Sequence, residues 1–344
     1  MAVNRRVTIA TIAQSAGVSP ATVSRALNHP ELVNAKTLGR VNASIRSLGY
    51  GGPVEQYREG SSDCRGLVVV NLPWLDNPFY SEIVHGVRVA ARDAGYDMLI
   101  SWDNITNETA SSFCSMLRRC GASGVITTSP LSAEAIQAVG GLVPLVQCAE
   151  RRTDVDAPYV TVDDRSAARR ATEHLISCGC RRLAIVAGSN DFKFSRERLE
   201  GFLDVTGEYD VSVLPGWILQ VPDNSYALAY SALAHLFDSG EVPDGIFAVS
   251  DTFGAAVVRA AHMTGIGIPD DLKVVGFDNA ELSTMLTPTL TTVNQPRYRM
   301  GYAACKILLD LLAGDELGSR SMVLETELIV RESTSGRPEA AALD

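Results

Sequence analysis

Residues 7–28 read Val-Thr-Ile-Ala-Thr-Ile-Ala-Gln-Ser-Ala-Gly-Val-Ser-Pro-Ala-Thr-Val-Ser-Arg-Ala-Leu-Asn, and their spacing predicts two short helices meeting at an angle. Ile9, Ile12, Ala13 and Ala16 recur at helical spacing and make one apolar face, with Thr8 placed to cap that helix. Gly17 supplies a sharp turn and Val18 an apolar plug between the helices. Ser19-Pro20 then gives a hydroxyl cap and a proline at the first helical position, where the missing N–H costs nothing. The second helix hides Val23 and Leu27. It leaves Pro20, Ala21, Thr22, Ser24, Arg25 and Asn28 on or near the outside, a short polar and basic set suited to a recognition helix. Asn34 opens a third helix with Leu38, Val41, Ile45 and Leu48 inward. The expected product is an all-α helix-turn-helix unit, residues 1–50, that reads double-stranded DNA.

Charge separates this unit from the rest. Residues 1–52 carry Arg5, Arg6, Arg25, Lys36, Arg40 and Arg46 against Glu31, a net of +5, so the chain total of −10 leaves −15 elsewhere. Phosphate contact is therefore expected only through the small basic unit, and with strong salt dependence. At 344 residues and 46% hydrophobic, the chain exceeds one ordinary domain. No apolar run is long enough to span a bilayer, and the N-terminus leads into an amphipathic unit instead of an apolar signal core, so a cytoplasmic protein without membrane contact is expected. The seven cysteines are scattered without a Cys-x-x-Cys pair, which fits a reducing compartment. His174, Cys178 and Cys180 lack a fourth ligand at useful spacing, so neither a metal nor another cofactor is expected.

From Gly66 onward short apolar runs alternate with amphipathic patterns. Leu67–Val70, Met98–Ile100, Gly124–Ile126 and Leu145–Val146 form one series; Leu183–Val186, Gly245–Val249 and Leu272–Phe277 form another. Such alternation predicts βαβ units and two lobes built on parallel sheets.

The N-terminal unit resembles the headpiece of the LacI/GalR family of bacterial transcriptional regulators. The residues that carry the likeness are Ala16-Gly17-Val18-Ser19, Thr22-Val23-Ser24-Arg25 and Asn28. Asn77-Pro78-Phe79-Tyr80, Ala94-Gly95-Tyr96, Gly124-Val125-Ile126, Val274–Asp278 and Leu290–Val293 extend it to the periplasmic-binding-protein-like core of that family. The resemblance implies an α/β, two-lobed, hinged effector-binding and dimerisation core over residues 64–331. The expected lobes are 64–158 with 293–320, and 159–292 with 321–331, joined to the headpiece by a linker at 51–63 and followed by a flexible tail at 332–344. It also implies a homodimeric repressor that binds a pseudo-palindromic operator under the control of a small-molecule effector, a sugar or sugar derivative. An activator or corepressor-dependent regulator, or a sugar receptor without DNA control, are the alternatives. The chain has no phosphate-cradling glycine loop, nucleophile elbow or metal-spaced His/Cys set, so no enzyme is expected.

Ligands of open parallel sheets sit at the carboxyl ends of strands. By position in the family pattern, Phe79, Tyr80, Arg198, Asp251 and Asp278 would line the effector pocket, joined by Asp103 and Gln295. Carboxylates and a guanidinium suit paired hydroxyls, and an aromatic ring suits the apolar face of a sugar. On the DNA side, Pro20 and Ala21 can offer only apolar contact, for instance to a thymine methyl. Arg25 is assigned to guanine or phosphate, Thr8, Ser19, Thr22, Ser24 and Asn28 to phosphate or base-edge bonds, and His29 to the adjacent backbone.

The linker departs from the family. The usual hinge leucine, which wedges into the minor groove at the operator centre, is replaced by Glu59, an acidic side chain unsuited to that place. Val54 and Tyr57, three residues apart, are the substitutes available on one helical face. If Tyr57 is the wedge, Tyr57→Ala lowers operator affinity and reduces bending of the bound duplex; unchanged affinity and bending would remove it from that role.

Overall fold

The computed structural model describes residues 9–28, 33–48, 64–314 and 321–335. Thr8, His29, the linker with Val54 and Tyr57, and the end of the tail lie outside the described residues. Ser24 and Asn28 are described only through their backbone.

Residues 1–64 form one compact unit and 65–344 another. In the first, α1 (Ile9–Ala16), α2 (Pro20–Asn28) and α3 (Ala35–Leu48) close around Ile12, Ala13, Ala16, Val23, Ala26 and Val41, with Val18, Val33 and Leu38 at the edge. Gly17 takes φ 61° between α1 and α2, a conformation that disfavours any other residue. Arg40 seals this turn by donating to the carbonyls of Ala16 at 2.6 Å and Gly17 at 3.1 Å. Ser19 Oγ accepts from the Thr22 N–H, and Asn34 Oδ1 from the Thr37 N–H, so α2 and α3 are capped, while the cap expected from Thr8 lies outside the described residues.

The larger unit starts with β1 (Gly66–Asn71), α4 (Phe79–Asp93), β2 (Tyr96–Ser101), α5 (Ala110–Cys120), β3 (Ala122–Thr127), α6 (Ala133–Gly140), β4 (Leu145–Cys148) and β5 (Tyr159–Val162). It then crosses to α7 (Asp164–Ser177), β6 (Leu183–Ala187), α8 (Lys193–Glu208), β7 (Ile218–Gln220), α9 (Tyr226–Asp238), β8 (Gly245–Ala248), α10 (Asp251–Thr264), β9 (Lys273–Asp278), α11 (Leu282–Met285) and β10 (Thr291–Asn294). The end of the chain supplies α12 (Arg297–Ala313), β11 (Ser321–Leu324), β12 (Glu327–Ile329) and α13 (Glu332–Ser335). The strand orders are β11-β5-β4-β3-β1-β2 and β12-β10-β9-β8-β6-β7. Every pairing is parallel except β10 with β12.

These orders correct the expected lobe boundaries. β5 pairs with β4 and so belongs to the first lobe; the chain crosses after Val162, not at 159. β10 pairs with β9 and belongs to the second lobe, so the return follows Asn294, not 292. β11 pairs with β5 in the first lobe, and the final crossing falls between Leu324 and Glu327. The tail expected over 332–344 is corrected at its start, where Glu332–Ser335 is helical. Ser333 is fully buried, with Oγ donating to the Val274 carbonyl and accepting the Thr291 N–H, which fastens α13 to the second lobe.

Glycines bring helices together behind the strand ends. A Cβ on Gly86 would strike the Tyr298 carbonyl and one on Gly301 the Ile83 carbonyl, so α4 and α12 meet backbone to backbone. Gly201 of α8 lies in the same way against the Arg165 carbonyl of α7. Gly301→Ala is expected to lower stability to urea by about 1–3 kcal/mol through overpacking. Gly207→Ala, in α8 with open space around it, is expected to raise stability by up to about 1 kcal/mol. Equal effects would contradict the close packing of α4 and α12.

Candidate functional site

Between the lobes, the strand ends enclose about 440 Å³ of atom-free space, including the mouth. The first lobe contributes Phe79 and Tyr80 from the start of α4, Glu150 from beyond β4, and Gln295 from the return crossing; the second contributes Asp164, Phe194, Arg198 and Asp278. The packing of α4 on α12 explains why Phe79, Tyr80 and Gln295, distant in sequence, converge. Their helices start side by side.

Arg198 is the centre of this site, at 3% exposure. Its Nε donates to Asp164 Oδ1 at 2.8 Å, Nη2 lies 2.7 Å from the same oxygen, and Nη1 donates to the Val249 carbonyl. Nη1 also stands 3.8 Å from Asp278 Oδ1, which accepts from Gln295 Nε2 at 2.8 Å. The guanidinium carbon lies 3.4 Å from the Phe277 ring centroid and 4.9 Å from that of Phe194. Lys193, also buried, places Nζ 2.6 Å from Asp164 Oδ2. One carboxylate thus holds two cations, each from α8.

Several of these contacts join the lobes. Glu150 accepts the N–H groups of Lys193 and Phe194 at 2.7 and 3.2 Å, so a first-lobe carboxylate caps a second-lobe helix. Lys193 Nζ reaches back to Thr161 Oγ1 at 3.1 Å. Arg297 donates to the Pro78 and Asn279 carbonyls, one in each lobe. Trp74 and Phe192 stack across the mouth with centroids 4.6 Å apart.

Of the residues expected from sequence, the structure brings Phe79, Tyr80, Arg198, Asp278 and Gln295 together in the pocket. Asp251 is corrected: it is 1% exposed and does not line the cavity. Its carboxylate accepts the Ala280 N–H and the Thr292 hydroxyl at 2.7 and 2.6 Å, tying α10 to the segments around β9 and β10. Asp103 is corrected too. It is exposed on the loop after β2 and accepts from Ser101 Oγ at 2.7 Å, away from the cavity. Glu150, Asp164 and Phe194 are the residues that sequence reading missed. Glu150 and Asp164 each follow a strand end, which was the available signal.

In the headpiece, Ser19, Pro20, Ala21 and Arg25 are exposed and Thr22 is half-buried, its hydroxyl 2.8 Å from Ser19 Oγ. The first turn of α2 and Arg25 therefore present the surface expected of a recognition helix. Arg40, one of the six cations counted there, is instead engaged in the turn.

Burial raises the carboxyl of Glu150 to about 7. It also raises Asp278 and Asp251, the latter pushed further by the neighbouring Asp278 charge. Burial pushes Asp164 the same way, yet Arg198 and Lys193 beside it hold it below the usual carboxylate value. Unfolded carboxyls titrate near about 4. Above that pH the folded chain retains protons on the three raised groups that the unfolded chain has lost, so their contribution to stability falls as pH rises. For Glu150 the loss runs from about pH 4 up to its folded value of about 7. Glu150→Gln should therefore flatten the fall of urea stability between about pH 4 and 7; an unchanged slope would show that Glu150 does not titrate there.

Two family profiles match this chain: that described as bacterial regulatory proteins, lacI family, over residues 8–51, and that described as periplasmic binding protein-like domain over 172–334. The transcriptional repressor CytR of Escherichia coli K12 is 31% identical over 334 residues, covering 96% of this chain and 97% of CytR. A solved complex of the transcriptional regulator CelR with cellobiose superposes with a TM-score of 0.69 at 28% identity, covering 95% of this chain and 100% of CelR. The lac repressor dimer bound to operator and the anti-inducer ONPF gives 0.70 at 26% identity, covering 95% and 99%. The likeness thus runs along nearly the whole chain, and the chain belongs to the lacI family of bacterial regulatory proteins, DNA-binding transcriptional regulators and not enzymes.

Proposed function

We propose that this regulator is a homodimeric repressor whose cleft binds an uncharged, hydroxylated effector, a sugar or sugar derivative, and whose operator affinity changes when that effector binds. One headpiece covers one half-site, so a symmetric dimer on a pseudo-palindrome is the economical arrangement. Its place of work is then the cytoplasm, with the DNA.

The single observation that carries the effector class is the commitment of Arg198. A guanidinium has five N–H donors, and here they face Asp164, the Val249 carbonyl and Asp278. Counting charges around the pocket, Arg198 and Lys193 meet Asp164, Asp278 and Glu150. A phosphate or carboxylate entering this pocket would find no uncompensated cation. A hydroxylated ring fits better: its hydroxyls can donate to Asp278, while Phe79 and Phe194 offer faces for its C–H side. Phe79 and Tyr80, packed edge to face with centroids 5.0 Å apart, form the first-lobe part of that surface.

Two measurements test this reading. Full-length protein selects duplexes from a random pool at near-physiological salt; a palindrome is expected. Arg25→Ala should then weaken binding by about 1–3 kcal/mol and relax one position per half-site. Calorimetry with glucose, galactose and ribose against their phosphate esters should give binding only to neutral compounds, and Asp278→Asn should weaken it about ten- to a hundredfold by removing a charged acceptor. A phosphate ester that binds more tightly than its parent sugar would overturn the charge argument.

A further inference from the structure

We infer that Arg297 is a positioning residue of the cleft: without touching the effector, its guanidinium sets the spacing between the first-lobe wall at Phe79 and the second-lobe acceptor Asp278. This rests on the reading of the pocket as the effector site. Arg297 opens α12 directly after the return crossing, is half-buried, and does not line the cavity. Its Nη1 donates to the Pro78 carbonyl at 3.2 Å and its Nη2 to the Asn279 carbonyl at 2.9 Å. Pro78 immediately precedes Phe79, and Asn279 immediately follows Asp278; both Phe79 and Asp278 line the pocket. One side chain thus grips the main chain beside a pocket residue of each lobe.

The second-lobe end of this bridge is a place where position has to be held. Asp278 and Asn279 adopt φ 114° and 50°, backbone that is disfavoured for a residue with a Cβ and persists only where its surroundings fix it. The Asn279 N–H donates to Thr292 Oγ1 at 3.2 Å, its Nδ2 donates to Asn294 Oδ1 at 3.0 Å, and its Oδ1 accepts from Arg331 Nη2 at 2.7 Å. Those three partners stand in the second lobe, on β10 and just beyond β12. Arg297 holds the same residue by its carbonyl from the first lobe, so the placement of this kink against α4 depends on it. At the other end the start of α4 is itself fixed, since Asn77 Oδ1 accepts the Phe79 N–H at 2.9 Å and the Pro78 carbonyl also accepts from Ser81 Oγ at 2.8 Å. A guanidinium suits the span: it is planar, always charged and donates in fixed directions, whereas an ammonium is a single point. Its charge also matters. Burial raises the Asp278 carboxyl, while Arg198 and then Arg297 oppose that rise and favour the ionised acceptor.

The experiment combines amide hydrogen exchange and calorimetry on the full-length protein and three variants. Arg297→Gln removes both charge and fork, Arg297→Lys keeps the charge but offers one point donor, and Arg299→Gln changes an exposed neighbour on the same helix. Without ligand, Arg297→Gln is expected to speed exchange about three- to tenfold in two segments at once, 79–82 and 278–283, one in each lobe, with the interior of α12 unchanged. With glucose, galactose and ribose as probes, Arg297→Gln should lower the affinity of any that binds about ten- to a hundredfold and Arg297→Lys about three- to tenfold, at a temperature where every variant is folded; Arg299→Gln should match wild type. Exchange that fails to rise in both segments would overturn the bridge. So would an Arg297→Lys variant with wild-type affinity, or an Arg297→Gln variant that loses urea stability while its folded form binds as tightly as wild type. If exchange rises in both segments and none of the three sugars binds the wild type, the bridge stands and the sugar reading of the pocket falls.

Discussion

The attachment of two buried cations, Arg198 and Lys193, to the single carboxylate of Asp164 is the constraint around which the core is arranged. Three charges taken out of water are costly unless each is paired and hydrogen-bonded. Asp164 begins α7, directly after the first crossing, and both cations stand on α8, so the packing of α7 on α8 through Gly201 fixes the geometry of the cluster. Because Lys193 also reaches Thr161 and its backbone N–H reaches Glu150, the same cluster holds the first lobe. Pocket and interlobe contact are therefore one structure. A ligand that enters the pocket alters the environment of groups that span the lobes.

That arrangement ties the contents of the cleft to the relation between the two lobes of the core. The chain passes between lobes after Val162, after Asn294 and between Leu324 and Glu327. Such crossings allow one lobe to turn on the other while each sheet stays intact. An effector shifts operator affinity only by its differential affinity for the two lobe arrangements, and the shift is reciprocal.

Much of this was legible in the sequence because periodicity reports which residues are buried. The seven strands read from apolar spacing, β1 to β4, β6, β8 and β9, lie where that spacing put them, as do Ile12, Ala13, Ala16, Val23 and Val41 in the headpiece core. The residues that begin α7 and α8 were harder. Asp163 and Asp164 are adjacent carboxylates after a strand; the first caps α7 by accepting the Ser166 N–H, and the second enters the pocket. Sequence order does not distinguish them. Glu150 sits in a charged loop where a surface role is the natural reading, and only its distance to the start of α8 reveals the interlobe cap. Asp251 and Asp103 show the reverse error. Strand ends predict position but not direction, and those side chains turn to backbone and hydroxyl partners outside the cavity. The lobe boundary was misplaced because β5 and β10 each pair with the strand just before them in sequence, β4 and β9, so the chain crosses after these strands and not before them.

The central claim is that cleft and headpiece are coupled through the effector. The direct measurement is a linkage cycle: the affinity of the tightest-binding sugar is measured with free protein and with protein saturated by its selected operator, and operator affinity is measured with and without that sugar. The account predicts that both affinities change by the same factor. Sugar affinity identical on free and operator-bound protein would contradict it, leaving the cleft a binding site without control over DNA.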